Sequence, residues 1–184
     1  MQEIKINRED KDLAAACAEG NKRAQFELFE RTKNKMFGLC LRFSGSRSEA
    51  EDLLQEGFIR VFRDIGHYRG SGSLEGWIRR IFIRTAIEDY HKRKNKLQAS
   101  ALDLPIPDFY LPDDFDPDDS ESVIDILHKL PPGYRAVLNL AVLEEKSHEE
   151  IGRELGITPS ASRSQLTRAK AFLKKIIQKT LLLI

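Results

Sequence analysis

Cationic and hydroxyl side chains near the end of the chain have the composition of a nucleic-acid contact. Arg163 and Arg168 lie within residues 155–184, a stretch that contains no Asp or Glu. Three serines accompany them near the start of this stretch: Ser160, Ser162 and Ser164. Guanidinium groups pair with phosphates and base edges, and short hydroxyl side chains let a helix approach a groove closely. The stretch therefore predicts a surface that binds nucleic acid.

Two helices around a tight turn would position that surface. Ser147 and Glu150 form a capping box that predicts the start of a first helix, and Gly156 is placed to end it. Thr158 can cap a second helix that has Pro159 at its first position. The apolar residues of the second helix recur at spacings of three and four and predict one buried stripe: Leu166, Ala169, Leu173 and Ile176. This order predicts a helix-turn-helix, although these residues alone fit a helical hairpin with a solvated basic face equally well.

Charge is segregated along the chain. The 184 residues carry a formal net charge of +1, and their number fits one or two small domains. Residues 97–121 contain no Lys or Arg and include four prolines, which interrupt helices. We therefore predict an all-α protein in which an acidic, proline-rich linker, 97–121, joins two small helical domains, 1–96 and 122–184. The linker is either a solvated tether or a segment that docks through its interleaved apolar residues.

The sequence argues against several classes of function. Cys17 and Cys40 are the only cysteines and form no CxxC pair, and the four histidines lack ligand spacing, so we expect no disulfide framework, metal or cofactor. No nucleophile motif or paired carboxylates indicate catalysis or a small-molecule substrate. No apolar run is long enough to span a bilayer, and the N-terminus has no secretory pattern, so a cytoplasmic protein is expected.

An acidic helix is predicted in the N-terminal part, where residues 10–96 are helical by pattern. Ser48 and Glu51 form a second capping box at its start. Apolar residues predict its buried face: Ala50, Leu54, Phe58, Val61 and Ile65. Acidic and amide side chains crowd the outer face: Glu49, Asp52, Gln55 and Glu56. Because acids in the first turns suit the helix dipole, the pattern alone favours capping and solubility.

A glycine-containing loop and an aromatic, basic helix follow. In the loop, HYRGSGS at residues 67–73, the glycines can expose main-chain N–H groups. Ser73 can cap the next helix, in which Trp77 precedes Arg80, Arg84 and a basic cluster at residues 91–96. Aromatic rings stack on unpaired bases while cations follow phosphates. The alternative is that Trp77 belongs to the core and that the lysines only favour the helix end.

Three of these motifs, in this order, resemble the extracytoplasmic-function (ECF) sigma factors, the small promoter-recognition subunits of bacterial RNA polymerase. SEAEDLLQEGFIRVF resembles their region 2.2, and LEGWIRRIFIRTAIEDYHKRK resembles regions 2.3 and 2.4. LPPGYRAVLNLAVLEEKSHEEIGRELGI, with the helix of Arg163, resembles region 4. The resemblance covers nearly the whole chain. It implies a sigma factor that directs core polymerase to specific promoters and promotes DNA opening.

The resemblance also implies roles for individual residues. Docking on the clamp of the largest polymerase subunit would use Asp52, Gln55 and Glu56, supported by Leu53 and Phe58. Capture of the minus-ten element would use Arg69, Ser71, Ser73, Trp77, Arg80, Arg84 and Glu88. Recognition of the minus-thirty-five element would use Arg163, Ser164, Gln165, Thr167 and Arg168. The implied partners are core RNA polymerase, through its clamp and the flap of its second-largest subunit, promoter DNA and an anti-sigma factor.

Two functions of other classes remain as alternatives. A stand-alone helix-turn-helix regulator would bind duplex DNA without polymerase, and it would need neither the acidic helix nor the aromatic, basic helix. A helical protein-interaction bundle with solvated charged faces would not associate with polymerase at all. Transcription by core polymerase with and without the chain separates the sigma factor from both alternatives, because only a sigma factor would restore promoter-dependent transcription.

Overall fold

Helices and the turns between them make up the described part of the chain. The computed structural model describes residues 8–100 and 123–182, and within these ranges all repetitive structure is helical, which confirms the predicted all-α class. The chain divides into two compact units, Met1–Ala86 and Ile87–Ile184. The predicted domain limits and the linker stay predictions, since residues 101–122 lie outside the described ranges. No helix in these ranges has the length and apolar character needed to cross a membrane.

Eight α-helices are described, with two short irregular turns. The first four are α1 (Arg8–Ala18), α2 (Lys22–Phe43), α3 (Arg47–Asp64) and α4 (Leu74–Ser100). The last four are α5 (Val123–His128), α6 (Pro132–Leu138), α7 (His148–Leu155) and α8 (Pro159–Leu182). A 3-10 turn, Ile65–His67, follows α3, and a π-helical turn, Asn139–Leu143, follows α6. The boundary between the two units falls within α4.

Local signals set the junction of α1 and α2. Gly20 adopts a φ of +80°, which ends α1 in a conformation that costs glycine little. The Asn21 side chain then accepts hydrogen bonds from the backbone N–H groups of Arg23 at 3.0 Å and Ala24 at 3.1 Å. These bonds satisfy donors that the first turn of α2 leaves unpaired. Gly20 therefore ends α1, and Asn21 caps α2.

The predicted start of α3 is wrong by two residues. Ser46, not Ser48, is the N-cap, and its hydroxyl accepts from the backbone N–H of Glu49 at 3.2 Å. The Glu49 carboxylate accepts from the N–H of Gly45 at 2.7 Å. The sequence contains two overlapping Ser-x-x-Glu patterns, and the earlier one forms the cap. Glu51, the acid of the later pattern, instead pairs with Arg47 at 3.0 Å.

The first unit has an aromatic core between α2, α3 and α4. The Phe58 ring lies 4.8 Å from Phe29 and 5.2 Å from Phe82, measured between centroids. Gly57 lets α3 approach α4 closely, because a Cβ there would lie 2.2 Å from the Phe82 ring. On α3 the structure buries Leu53 and leaves the predicted core residue Leu54 only half-buried. The unit is held by this interlocking packing.

The second unit is built around α8. Its core cluster contains Leu127, Leu130, Leu138, Ala169, Phe172 and Ile176. Ala169 and Ile176 confirm the predicted stripe of α8, and Leu166 and Leu173 pack against the cluster while partly buried. Arg135, buried in α6, donates to the backbone carbonyls of Leu127 at 3.4 Å and His128 at 3.2 Å. This guanidinium ties α6 to the end of α5, and α8 is thereby held against a fixed base.

Candidate nucleic-acid and partner interfaces

The helix-turn-helix is assembled by short-range bonds. The Ser147 hydroxyl accepts from the N–H of Glu150 at 3.2 Å, and the Glu150 carboxylate accepts from the hydroxyl and the N–H of Ser147 at 2.7 and 2.9 Å. These bonds from Ser147 lower the pKa of Glu150 below its usual value. Gly156 ends α7 with a φ of +63°. Thr158 caps α8 by accepting from the N–H of Ala161 at 3.1 Å. All of these predicted signals are confirmed.

The turn packs tightly on α7. The N–H of Ile157 donates to the carbonyl of Gly152 at 3.0 Å. A Cβ at Gly152 would lie 2.7 Å from the carbonyl oxygen of Ile157 and 3.5 Å from the nitrogen of Pro159. Both are backbone atoms, which cannot move as a flexible side chain would. Gly152 therefore fixes how closely α7 approaches the start of α8.

One face of α8 presents a compact polar surface. Arg163, Ser164 and Thr167 are exposed near its N-terminal end, as a helix that enters a major groove requires. The Thr167 hydroxyl donates to the carbonyl of Arg163 at 3.0 Å, which leaves its lone pairs available to a ligand. Arg163 lies 3.6 Å from the carboxylate of Glu149, and both side chains are more than half exposed. This pair is solvent-screened and weak.

Gln165 and Arg168 lie beside α6. The side-chain oxygen of Gln165 is buried and has no hydrogen-bond partner, and a Cβ built on Gly133 would lie 3.3 Å from it. Arg168 is exposed, and its guanidinium donates to the Tyr134 hydroxyl at 3.1 Å. The five predicted minus-thirty-five residues therefore separate into an outward group of three and a pair oriented by α6.

Ser162 corrects the prediction that all three serines line the contact. It is fully buried, and its hydroxyl lies 2.9 Å from Nδ1 of His148. Ser162 precedes Leu166 by four residues, so it falls in the same buried stripe as Leu166 and Ala169. It joins α7 to α8 and does not face a groove. Ser160 and Ser164 are exposed.

The glycine loop before α4 is a defined turn. Gly70 and Gly72 have φ values of +78° and +83°, a region that other residues rarely adopt. The Tyr68 hydroxyl donates to the carbonyl of Gly72 at 2.8 Å, and the Tyr68 ring meets Trp77 edge-on at 5.9 Å. Ser73 caps α4 by accepting from the N–H of Gly76 at 3.0 Å, as predicted. The loop is thus closed across its own base.

The predicted minus-ten residues follow the loop onto α4. Arg69, Ser71 and Ser73 are exposed in the loop. On α4, spacings of three and four place a stripe of side chains along one face: Trp77, Arg80, Arg84 and Glu88. Arg80 and Arg84 are exposed, whereas Trp77 and Glu88 are partly buried. Together, the loop and this stripe combine one partly buried indole ring and three exposed guanidinium groups. Gly70 is buried and Gly72 is half-buried, so the glycines do not expose the main chain as the sequence suggested.

The predicted polymerase-binding residues form an exposed face with an apolar base. Asp52, Gln55 and Glu56 are exposed on α3, and Glu56 pairs with Arg60 at 2.7 Å. Leu53 and Phe58 are 4% and 5% exposed and belong to the core. They can therefore hold the α3 face in place, but the structure does not present them to a partner.

Three contacts of these surfaces were not predicted from the sequence. Asp10 of α1 accepts a hydrogen bond from the N–H of Leu74, the first residue of α4, at 3.1 Å. Glu149 pairs with Arg163, and Tyr134 bonds to Arg168. The Tyr134 and Leu74 contacts join residues far apart in sequence, so no local pattern announces them. Glu149 lies in the first turn of α7, 14 residues before Arg163.

Two family models match separate parts of the chain. Residues 28–96 match the family described as Sigma-70 region 2. Residues 120–173 match the family described as Sigma-70, region 4. The first match contains α3, the glycine loop and the stripe of α4, and the second contains the helix-turn-helix.

Characterised relatives match over most of this chain. The chain is 32% identical to the RNA polymerase sigma factor CarQ of Myxococcus xanthus, over 82% of this chain and 87% of CarQ. It is 29% identical to the ECF RNA polymerase sigma-E factor of Haemophilus influenzae, over 92% of this chain and 95% of that protein. It is 35% identical to the ECF RNA polymerase sigma factor SigE of Mycolicibacterium smegmatis, over 83% of this chain and 61% of SigE.

A solved structure shares the fold. It is the co-crystal structure of the sigma factor RpoE in complex with the anti-sigma factor NepR from Bartonella quintana. The match has a TM-score of 0.50 at 16% identity and covers 83% of this chain and 95% of that chain.

Proposed function

Because the chain belongs to the ECF sigma factors of bacterial RNA polymerase, we propose that its two units hold two separate promoter elements while α3 docks on the polymerase. The observation that carries this proposal is that each unit presents a cationic surface on a helix whose start is fixed by caps. Duplex DNA suits the helix-turn-helix, and an opened strand suits a loop beside a stripe of exposed arginines and a partly buried indole ring.

The minus-thirty-five element is assigned to α8. Arg163 is the candidate base contact, since a guanidinium pairs two hydrogen bonds with guanine. Ser164 and Thr167 flank it on the exposed face and would contact phosphate or base edges. Arg168, held toward Tyr134, is better placed to follow a phosphate, and Gln165 would have to leave its buried position to reach a base.

The minus-ten element is assigned to the glycine loop and α4. Unpairing DNA costs about 1.4 kcal/mol per base-pair step, and stacking on an aromatic ring returns about 1 to 3 kcal/mol per base. Trp77 supplies such a ring, while Arg80 and Arg84 supply cations along the same face. Arg69, Ser71 and Ser73 border the exposed loop, where a displaced base would be held, and Glu88 lies further along the stripe.

The exposed face of α3 is assigned to polymerase. Asp52, Gln55 and Glu56 would pair with basic groups on the clamp, and Leu53 and Phe58 would keep α3 rigid from beneath. The helix-turn-helix unit would meet the flap of the second-largest subunit. We expect the chain to act in the cytoplasm as a binding subunit that performs no catalysis itself. We also expect an anti-sigma factor, by analogy with the complex named above.

A matched pair of neutralised acids tests the docking face. Asp52→Asn removes a charge from the exposed face, whereas Glu51→Gln removes an identical charge one residue away, where the acid pairs with Arg47. We expect Asp52→Asn to weaken binding to core polymerase by about 1.5 to 3 kcal/mol, as for a lost hydrogen bond to a charged group. Glu51→Gln should bind normally. Equal affinities for both variants in a fluorescence titration with core enzyme would refute the assignment of this face.

A further inference from the structure

The start of α4 is held by a residue of α1. Asp10 is 5% exposed, and its Oδ2 accepts from the N–H of Leu74 at 3.1 Å, across 64 positions of sequence. Its Oδ1 lies 3.2 Å from Nη2 of Arg31 on α2. A buried carboxylate requires such partners, and a helix N-terminus offers unpaired N–H donors. Asp10 therefore links three helices at the point where the glycine loop ends.

The loop itself also rests on α1. A Cβ at Gly70 would lie 1.9 Å from Cε of Lys11 and 2.9 Å from its Cδ, so the Lys11 stem packs directly on the Gly70 backbone. Burial, and then the negative charge of Asp10, raise the pKa of Tyr68 above its usual value. The hydroxyl of Tyr68 in turn closes the loop on Gly72. The loop is thus supported at its middle by Lys11 and at its end by Asp10.

We propose that Asp10 is a positioning residue for promoter opening, which holds the start of α4 and the glycine loop in the conformation that receives an unpaired base. The proposal rests on the role proposed above for the loop. It extends that role to α1, which precedes the residues matched to Sigma-70 region 2. Asp10 does not touch the base, and it acts through Leu74.

The test separates capture of a base from general binding. Holoenzyme made with each full-length variant is titrated with single-stranded oligonucleotides that carry the minus-ten sequence of a promoter selected by the wild-type holoenzyme. One oligonucleotide is intact, and the others have an abasic site at each position in turn. For wild type, the abasic site at the captured position should lower affinity. That contrast between intact and abasic strands is the measured quantity.

Asp10→Ala should abolish most of this contrast. We expect its affinity for the intact strand to fall about tenfold, the size of one lost hydrogen bond to a charged group. Its affinity for the abasic strand and for minus-thirty-five duplex should stay unchanged. Asp10→Asn retains an oxygen that can accept from Leu74 and should keep most of the contrast. Asp12→Ala removes the same charge from an exposed position of α1 and should behave as wild type.

Three results would overturn the proposal. One is an Asp10→Ala variant that retains the full contrast, and another is a variant that loses intact and abasic strands equally, as a merely structural residue would. If Asp10→Ala does not assemble into holoenzyme, Arg31→Met decides, since it removes the second partner of Asp10; a full contrast in Arg31→Met contradicts the proposal, and a reduced one supports it. Absence of any contrast in wild type would instead overturn the role of the loop itself.

Discussion

The helix-turn-helix and the glycine loop differ in how far apart in sequence the residues lie whose contacts hold them in place. Ser147, Gly152 and Thr158 act on backbone groups within a few residues of themselves. The loop before α4, in contrast, depends on Asp10 and Lys11, which lie at the beginning of the chain. One proposed DNA-binding surface is thus built by its own segment, whereas the other depends on the packing of its whole unit. Local substitutions should therefore damage the first surface, whereas distant ones should damage the second.

The largest effect is expected from a methyl group at the turn of the helix-turn-helix. Gly152→Ala places a Cβ 2.7 Å from the carbonyl oxygen of Ile157, and overpacking of this kind costs about 1 to 3 kcal/mol. Thermal unfolding should show the loss, and binding of minus-thirty-five duplex should fall while binding of minus-ten single strand is preserved.

Gly38→Ala is the matched control for that substitution. Gly38 lies inside α2, where a Cβ would meet only the end of the Arg42 side chain at 3.9 Å. The same chemical change should there raise stability by about 1 kcal/mol, because alanine favours a helix interior. If Gly152→Ala proved as stable as Gly38→Ala, the close approach of α7 and the turn would not matter.

The next effect concerns Arg163. Arg163→Ala should cost about 1 to 3 kcal/mol in binding of minus-thirty-five duplex by holoenzyme and should relax the preference at one base position. Lys174→Ala removes one exposed cation from the same face of α8, about 16 Å further along the helix. It should lower affinity slightly and equally for all sequences. A salt series on both variants checks this, and indistinguishable losses would mean that Arg163 contacts only phosphate.

A smaller effect is expected from the indole of α4. Trp77→Leu keeps an apolar side chain but removes the stacking surface, and it should weaken binding of the minus-ten single strand by about 1 kcal/mol. Trp77→Phe keeps a ring and should lose less. Fluorescence anisotropy with a labelled strand measures both. Equal losses in the two variants would indicate that Trp77 supports Tyr68 and does not stack on a base.

The smallest effect is a gain. Arg163 lies 3.6 Å from the carboxylate of Glu149, which would compete with DNA for it in the proposed complex. Glu149→Gln should therefore strengthen binding of minus-thirty-five duplex by about 0.2 to 1 kcal/mol, the usual range for exposed ion pairs. The gain should vanish in an Arg163→Ala background, which a double-mutant cycle measures. A gain of equal size in that background would assign the effect to general charge repulsion.

The same difference in sequence separation explains which features could be predicted from the sequence. The capping box at Ser147, the stop at Gly156 and the cap at Asn21 follow from residues at fixed short offsets. The burial of Ser162 could also have been predicted, since Ser162 lies on the same helix face as Leu166. Its polar hydroxyl, however, favoured an exposed position. Two overlapping cap patterns misplaced the start of α3. The bond from Asp10 to Leu74 had no signal, because only the packed unit brings these residues together.

Reconstituted transcription is the most direct test of whether the chain directs core polymerase to promoters. Purified core polymerase is incubated with and without the chain on promoters selected from random fragments, and run-off transcripts are counted. We predict specific transcripts only when the chain is present. They should be lost with Asp52→Asn at limiting concentration and also with Arg163→Ala. The contrary result is a free chain that binds the same fragments and yet does not restore transcription by core enzyme. That result would contradict the sigma-factor function and identify a stand-alone regulator.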